Sequence, residues 1–197
     1  MRVRQLLPAV LLVLAAATTA RAEQTLVFLR HGEKPSGGYG QLTCQGFNRS
    51  LALPDVMFAK FGRPNILYAP SPAFKISDPA GSFYYDRPLA TLEPMAVKLG
   101  KDIWSKYAYY DITSLQSSLI TPTRDNKTIF IAWEHAYLQK VVQNIMNKYG
   151  GGVTVPAWIS GDYDTLYVVR VTYGTTIRAT FERDSEGLNG LPTACPF

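Results

Sequence analysis

The sequence predicts an α/β protein of three layers, α/β/α, with a mainly parallel central sheet between helices. Three observations predict it. Short continuous apolar runs at residues 25–29, 65–68 and 128–133 have the pattern of strands covered on both faces. Stretches of helical periodicity follow those runs, and Gly and Pro stand at the junctions. The composition, 47% hydrophobic and 12% aromatic over 197 residues, excludes disordered, coiled-coil and low-complexity classes.

The first 22 residues stand apart from the domain. Arg2 and Arg4 make a basic start, residues 6–17 are apolar, and Ala20-Arg21-Ala22 has the form of a cleavage signal, so residues 1–22 read as a secretory signal peptide. That apolar run is well short of the roughly 20 residues that cross a bilayer, and no later stretch comes close. No membrane span is expected. Removing the leader takes three arginines and no acid, which lowers the net charge from +5 to +2, and the case for a polybasic nucleic-acid surface goes with it. Residues 23–197 fit a single domain, secreted or periplasmic. In an oxidising compartment Cys44 and Cys195 are expected to form one long-range disulfide.

Along the domain, the first strand (25–29) ends at Arg30-His31-Gly32-Glu33, and a Gly- and Pro-containing loop follows. Thr43 is a fitting N-cap for a helix carrying Phe47 and Leu51 and expected to stop before Pro54. A second strand covers 65–68. Residues 71–86 read as irregular. Residues 88–99 read as a helix with Pro88 in its first turn and Gly100 at its end. A third strand (128–133) runs into Glu134-His135, after which Leu138, Val141, Val142, Ile145 and Tyr149 recur at helical spacing. Residues 165–173 and 176–181 read as a strand pair.

In open parallel sheets ligands sit beyond the carboxyl ends of the strands, and the two histidines, His31 and His135, each directly follow a strand there. At these residues the sequence resembles a family. Arg30-His31-Gly32 is similar to the Arg-His-Gly signature of the histidine phosphatase superfamily, phosphoglycerate-mutase-like branch. Leu42-Thr43 with Gly46 resembles its Leu-Thr-x-x-Gly element, and Ser71-Pro72 followed by Arg87, Thr91 and Glu93 resembles its Ser-Pro…Arg-x-x-x-Thr-x-Glu stretch. Trp133-Glu134-His135 falls where the second histidine belongs. One departure is that fifteen residues separate Ser71 from Arg87, where relatives have a few.

The resemblance implies a phosphoglycerate-mutase-like fold and an exported bacterial-type phosphomonoesterase working without metal or cofactor. It takes a small-molecule phosphomonoester and releases inorganic phosphate. His31 is then the nucleophile, because a neutral imidazole can attack phosphorus and split one displacement into two. Arg30, Arg87 and His135 bind the phosphoryl group, and Arg49 faces it from the first helix. A basic leaving group needs an acid, and two carboxyls adjoin the histidines: Glu134, the first choice, and Glu33. A non-catalytic phospholigand-binding module, a phosphomutase, and a metallohydrolase on His31, Glu33 and His135 are the competing readings. Residues 71–86, with Phe74, Phe83, Tyr84 and Tyr85, are expected to shape specificity.

Overall fold

The computed structural model describes residues 23–197; the leader expected over 1–22 lies outside the described residues. A six-stranded sheet has the order β5-β2-β6-β1-β7-β8, with β1 Glu23–Arg30, β2 Ile66–Tyr68, β5 Ile103–Trp104, β6 Thr128–Trp133, β7 Thr165–Thr172 and β8 Arg178–Ser185. Strands β1, β2, β5 and β6 are parallel, whereas β7 runs antiparallel to both β1 and β8.

The alternation of each central strand sorts its side chains into two cores. Leu26 and Phe28 of β1, Ile129, Ile131 and Trp133 of β6, and Tyr167 and Val169 of β7 pack against α3 (Ile112–Leu119) and α4 (His135–Tyr149). Their neighbours Val27, Leu29, Phe130, Ala132, Leu166 and Val168 pack against α1 (Cys44–Phe61) and α2 (Arg87–Leu99) on the other face. Both faces of these strands are buried, hence the unbroken apolar runs. Among the described residues no helix is long and apolar enough to cross a membrane.

Two expectations are corrected. Helix α1 does not stop before Pro54 but runs through it to Phe61. An interior proline costs about 3 kcal/mol, whereas Leu53 and Met57, both fully buried on the sheet, contribute about 1.5–3 kcal/mol each. Residues 71–86 are not irregular: a hairpin of β3 (Lys75–Asp78) and β4 (Gly81–Tyr84) stands there as a separate two-stranded sheet. It is the insertion that separates Ser71 from Arg87. Helix α3, unexpected from sequence, is polar along most of its length and buries only Leu115 and Leu119 fully.

Cys44 and Cys195 form the expected disulfide, with Cα atoms 4.6 Å apart. The tail is held further by Asn48 Nδ2, which donates to the Pro192 and Ala194 carbonyls at 2.8 Å. The C-terminus is thus fastened to the first turns of α1.

Candidate active site

Strands β1 and β6 are parallel and in register, with Arg30 opposite Trp133, so the residues that follow them, His31 and Glu134-His135, emerge side by side. This is how two histidines 104 positions apart meet. Because β7 is antiparallel, with Leu29 opposite Leu166, the segment entering β7 arrives at the same edge. It supplies Ser160, Asp162 and Tyr163.

The Arg-His-Gly and Leu-Thr-x-x-Gly elements are two halves of one contact. A Cβ on Gly32 would lie 2.8 Å from the Gly46 carbonyl oxygen, and one on Gly46 would lie 2.5 Å from the Glu33 carbonyl oxygen. Only glycine lets α1 press its backbone against the chain that follows His31. Thr43 caps α1, accepting from Gly46 N at 3.1 Å. Thr91, one turn beyond Arg87, accepts from the Gly32 amide at 2.9 Å and donates to the Arg87 carbonyl at 2.8 Å, tying α2 to the same turn.

His31, at the end of β1, is buried, 2% exposed. Its Nδ1 lies 2.7 Å from the Gly32 carbonyl oxygen. A carbonyl can only accept, so Nδ1 carries the proton and Nε2 keeps its lone pair. Burial first, then the charges of Arg87 and Arg30, hold the His31 pKa well below 6.5. The ring is neutral and able to attack.

Arg30 and Arg87 are each fixed by one edge. Arg30 Nη1 donates to the Ser160 carbonyl and, at 3.2 Å, to that of Asp162, while its guanidinium stacks 3.9 Å from the Tyr163 ring centroid. Arg87 grips Asp78 of the hairpin bidentately, at 2.7 and 3.2 Å, and donates to the Gly38 carbonyl at 3.2 Å. Burial raises the Asp78 carboxyl, but the Arg87 and Gly40 hydrogen bonds outweigh it and the net direction is down. The Nε atoms of both arginines are buried without a hydrogen-bond partner, and so is the hydroxyl of Tyr85. The Tyr85 ring meets His31 edge-on at 5.9 Å and lies under the Arg87 guanidinium at 4.9 Å.

The carboxylates differ most from expectation. Glu134 caps α4: Oε2 accepts from Tyr137 N at 2.9 Å, and Oε1 lies 2.7 Å from His135 Nδ1, off the angle of a good hydrogen bond. Burial raises its pKa, but His135 and the Tyr137 amide outweigh burial and hold the carboxyl below its usual range. The structure thus places Glu134, expected as the acid, as the cap of α4 with Oε1 beside His135. Glu33 is held by Arg49, through Nη2 at 2.7 Å and Nε at 3.0 and 3.1 Å. It is neither a free acid nor turned to a metal with the histidines.

Arg49 is likewise corrected. Buried to 1% exposure, it directs Nε and Nη2 to Glu33 and Nη1 to Asp164 and Glu186, at 3.4 and 2.5 Å. That caged guanidinium braces the chain behind His31 and does not serve as a phosphate ligand. Glu93 is exposed on α2. Sequence reasoning missed Asp78, Tyr163, Asp164 and Glu186, whose roles depend on contacts distant in sequence; Tyr85 was visible only as a member of the specificity segment.

Among known proteins, no family model and no curated sequence matches the chain. Solved structures do. A mycobacterial hydrolase aligns with a TM-score of 0.54 at 11% identity, over 82% of this chain and 90% of that one. A mycobacterial glucosyl-3-phosphoglycerate phosphatase aligns in complex with inorganic phosphate (TM-score 0.52, 12% identity, 83% and 96%) and in its native form (0.51, 11%, 83% and 97%). At these identities the likeness establishes the fold: the three-layer, phosphoglycerate-mutase-like α/β fold of the histidine phosphatases.

Proposed function

We propose that the protein is an exported phosphomonoesterase that works through a phosphohistidine on His31. One observation carries the reading: two buried donors without an acceptor, Arg30 Nε and Arg87 Nε, belong to the arginines whose charges act on a neutral imidazole. Buried polar atoms are nearly always satisfied in native proteins, so converging orphaned donors call for an anion. A phosphoryl group supplies it.

His31 Nε2 attacks phosphorus, Arg30 and Arg87 take the charge on the nonbridging oxygens, and His135, oriented by Glu134, completes the clamp. Water then cleaves the phosphohistidine and inorganic phosphate leaves. Secretion is supported by the leader in the sequence and by the disulfide, which persists in oxidising compartments.

The test is phosphate release from nitrophenyl phosphate by the purified protein, with His31→Ala as the comparison. Turnover in the parent, its loss in the variant, and acid-labile label on His31 are expected. Bound phosphate without turnover would make the protein a binding module, and full activity in His31→Ala would remove the nucleophile assignment.

A further inference from the structure

We propose that the Tyr85 hydroxyl gives the leaving oxygen its proton, the role that the neighbouring carboxyls cannot take. The inference rests on the phosphatase reading above. Tyr85 lies at the end of the hairpin insertion, two positions before Arg87, and is fully buried. Its ring is wedged between His31, at 5.9 Å, and Tyr109, at 5.4 Å. The packing fixes the ring, yet the hydroxyl it carries meets no partner. A phenylalanine would fill the same space without stranding a polar atom, so for folding alone the oxygen is a liability.

Chemistry gives that oxygen a use. Glu134 is held below its usual range as the cap of α4, and Glu33 is locked to Arg49, so neither carboxyl is free for that role beside His31. The phenol is. Burial, with Glu134 and Asp78 nearby, raises its pKa well above 10 despite the opposing pull of Arg87 and Arg30. It therefore stays protonated in the resting enzyme, and the two arginines stabilise the phenolate once the proton leaves.

In the first half-reaction the Nε2 lone pair forms the N–P bond and the P–O bond to the leaving group breaks. Its electron pair goes to the leaving oxygen, which takes the Tyr85 proton and departs as the alcohol. In the second, water gives its proton to the Tyr85 phenolate as its oxygen bonds phosphorus. The N–P bond then breaks, restoring neutral His31 and the phenol.

Tyr85→Phe tests this with kcat/KM, which reports the leaving-group step, measured on an alkyl phosphate and on nitrophenyl phosphate. The alkyl ester should lose roughly 100- to 10,000-fold and the nitrophenyl ester little, since nitrophenolate departs without protonation. Melting temperature and inorganic phosphate binding should be retained, which separates the result from misfolding. Equal losses on both esters would make Tyr85 a phosphoryl ligand and overturn the proposal, as would no loss on either. A parent inactive on both esters would refute the phosphatase reading and this proposal with it, whereas an active parent with an indifferent Tyr85→Phe would refute this proposal alone.

Discussion

A methyl group at position 46 tests how closely helix α1 holds the turn that carries His31. In Gly46→Ala the new Cβ lies 2.5 Å from the Glu33 carbonyl oxygen and 2.7 Å from the Glu33 amide nitrogen. Both are backbone atoms, so no side chain can swing aside. Restoring an ordinary contact of 3.4–4 Å requires α1 and the His31–Glu33 turn to part by about 0.9–1.5 Å. Overpacking of this kind costs about 1–3 kcal/mol, and the better helix propensity of alanine returns about 1 kcal/mol. The net loss, up to about 2 kcal/mol, lowers the melting temperature by up to roughly 8 °C for a domain of this size. Because Glu33 is two residues from His31, the same displacement reaches the attacking nitrogen, and a misplacement near 1 Å costs about a hundredfold in rate. Calorimetry with kcat/KM on nitrophenyl phosphate reads both effects. An unchanged or raised melting temperature with unchanged kcat/KM would refute the close approach. A lower melting temperature with intact activity would break its link to His31.

Glu134→Gln, which weakens the cap of α4, should cost about 1 kcal/mol and lower kcat/KM alike for alkyl and nitrophenyl phosphates; a loss confined to the alkyl ester would return the acid role to Glu134. Burial pushes the Glu186 carboxyl up to about 8 although Arg49 opposes it, so the native state holds a proton there that the unfolded state releases at the usual carboxyl value. Stability should therefore fall as pH rises from about 4.5 to about 8, and a urea-midpoint series in which Glu186→Gln keeps the same slope would count against it. Reducing the Cys44–Cys195 bridge opens a loop of 151 residues, for which the chain-entropy model gives about 5 kcal/mol; two thiols titrating in the unreduced, denatured protein would disprove the bridge.

What the sequence made legible is what burial on both strand faces imposes. The central strands announce themselves as unbroken apolar runs, and the helices beside them because every third and fourth residue must be apolar. The hairpin did not, since its strands are short and β4 is largely exposed, leaving Ile76 and Asp78 of β3 as its buried pair. Arg49 was misassigned for a related reason. Its partners lie 16, 115 and 137 positions away, and no local pattern reports a contact made only when β7 and β8 close against α1.

The arginines show why identity alone could not assign the site's chemistry. Arg49 and Arg87 are both buried to 1% exposure and both paired with carboxylates. They differ in which edge is engaged. Arg49 gives Nε, Nη1 and Nη2 to acids, so its guanidinium is complete as it stands. Arg87 gives only its Nη atoms, to Asp78 and the Gly38 carbonyl, and Arg30 is held through Nη1 by two carbonyls, leaving the Nε of each without a partner. A donor already held through its Nη atoms is fixed in place, which is one condition for electrostatic stabilisation of a transition state. Asp78 thus acts on Arg87 as the backbone carbonyls act on Arg30, and the hairpin that brings it, absent from the spacing expected of the motif, is what fixes the Arg87 guanidinium beside Tyr85.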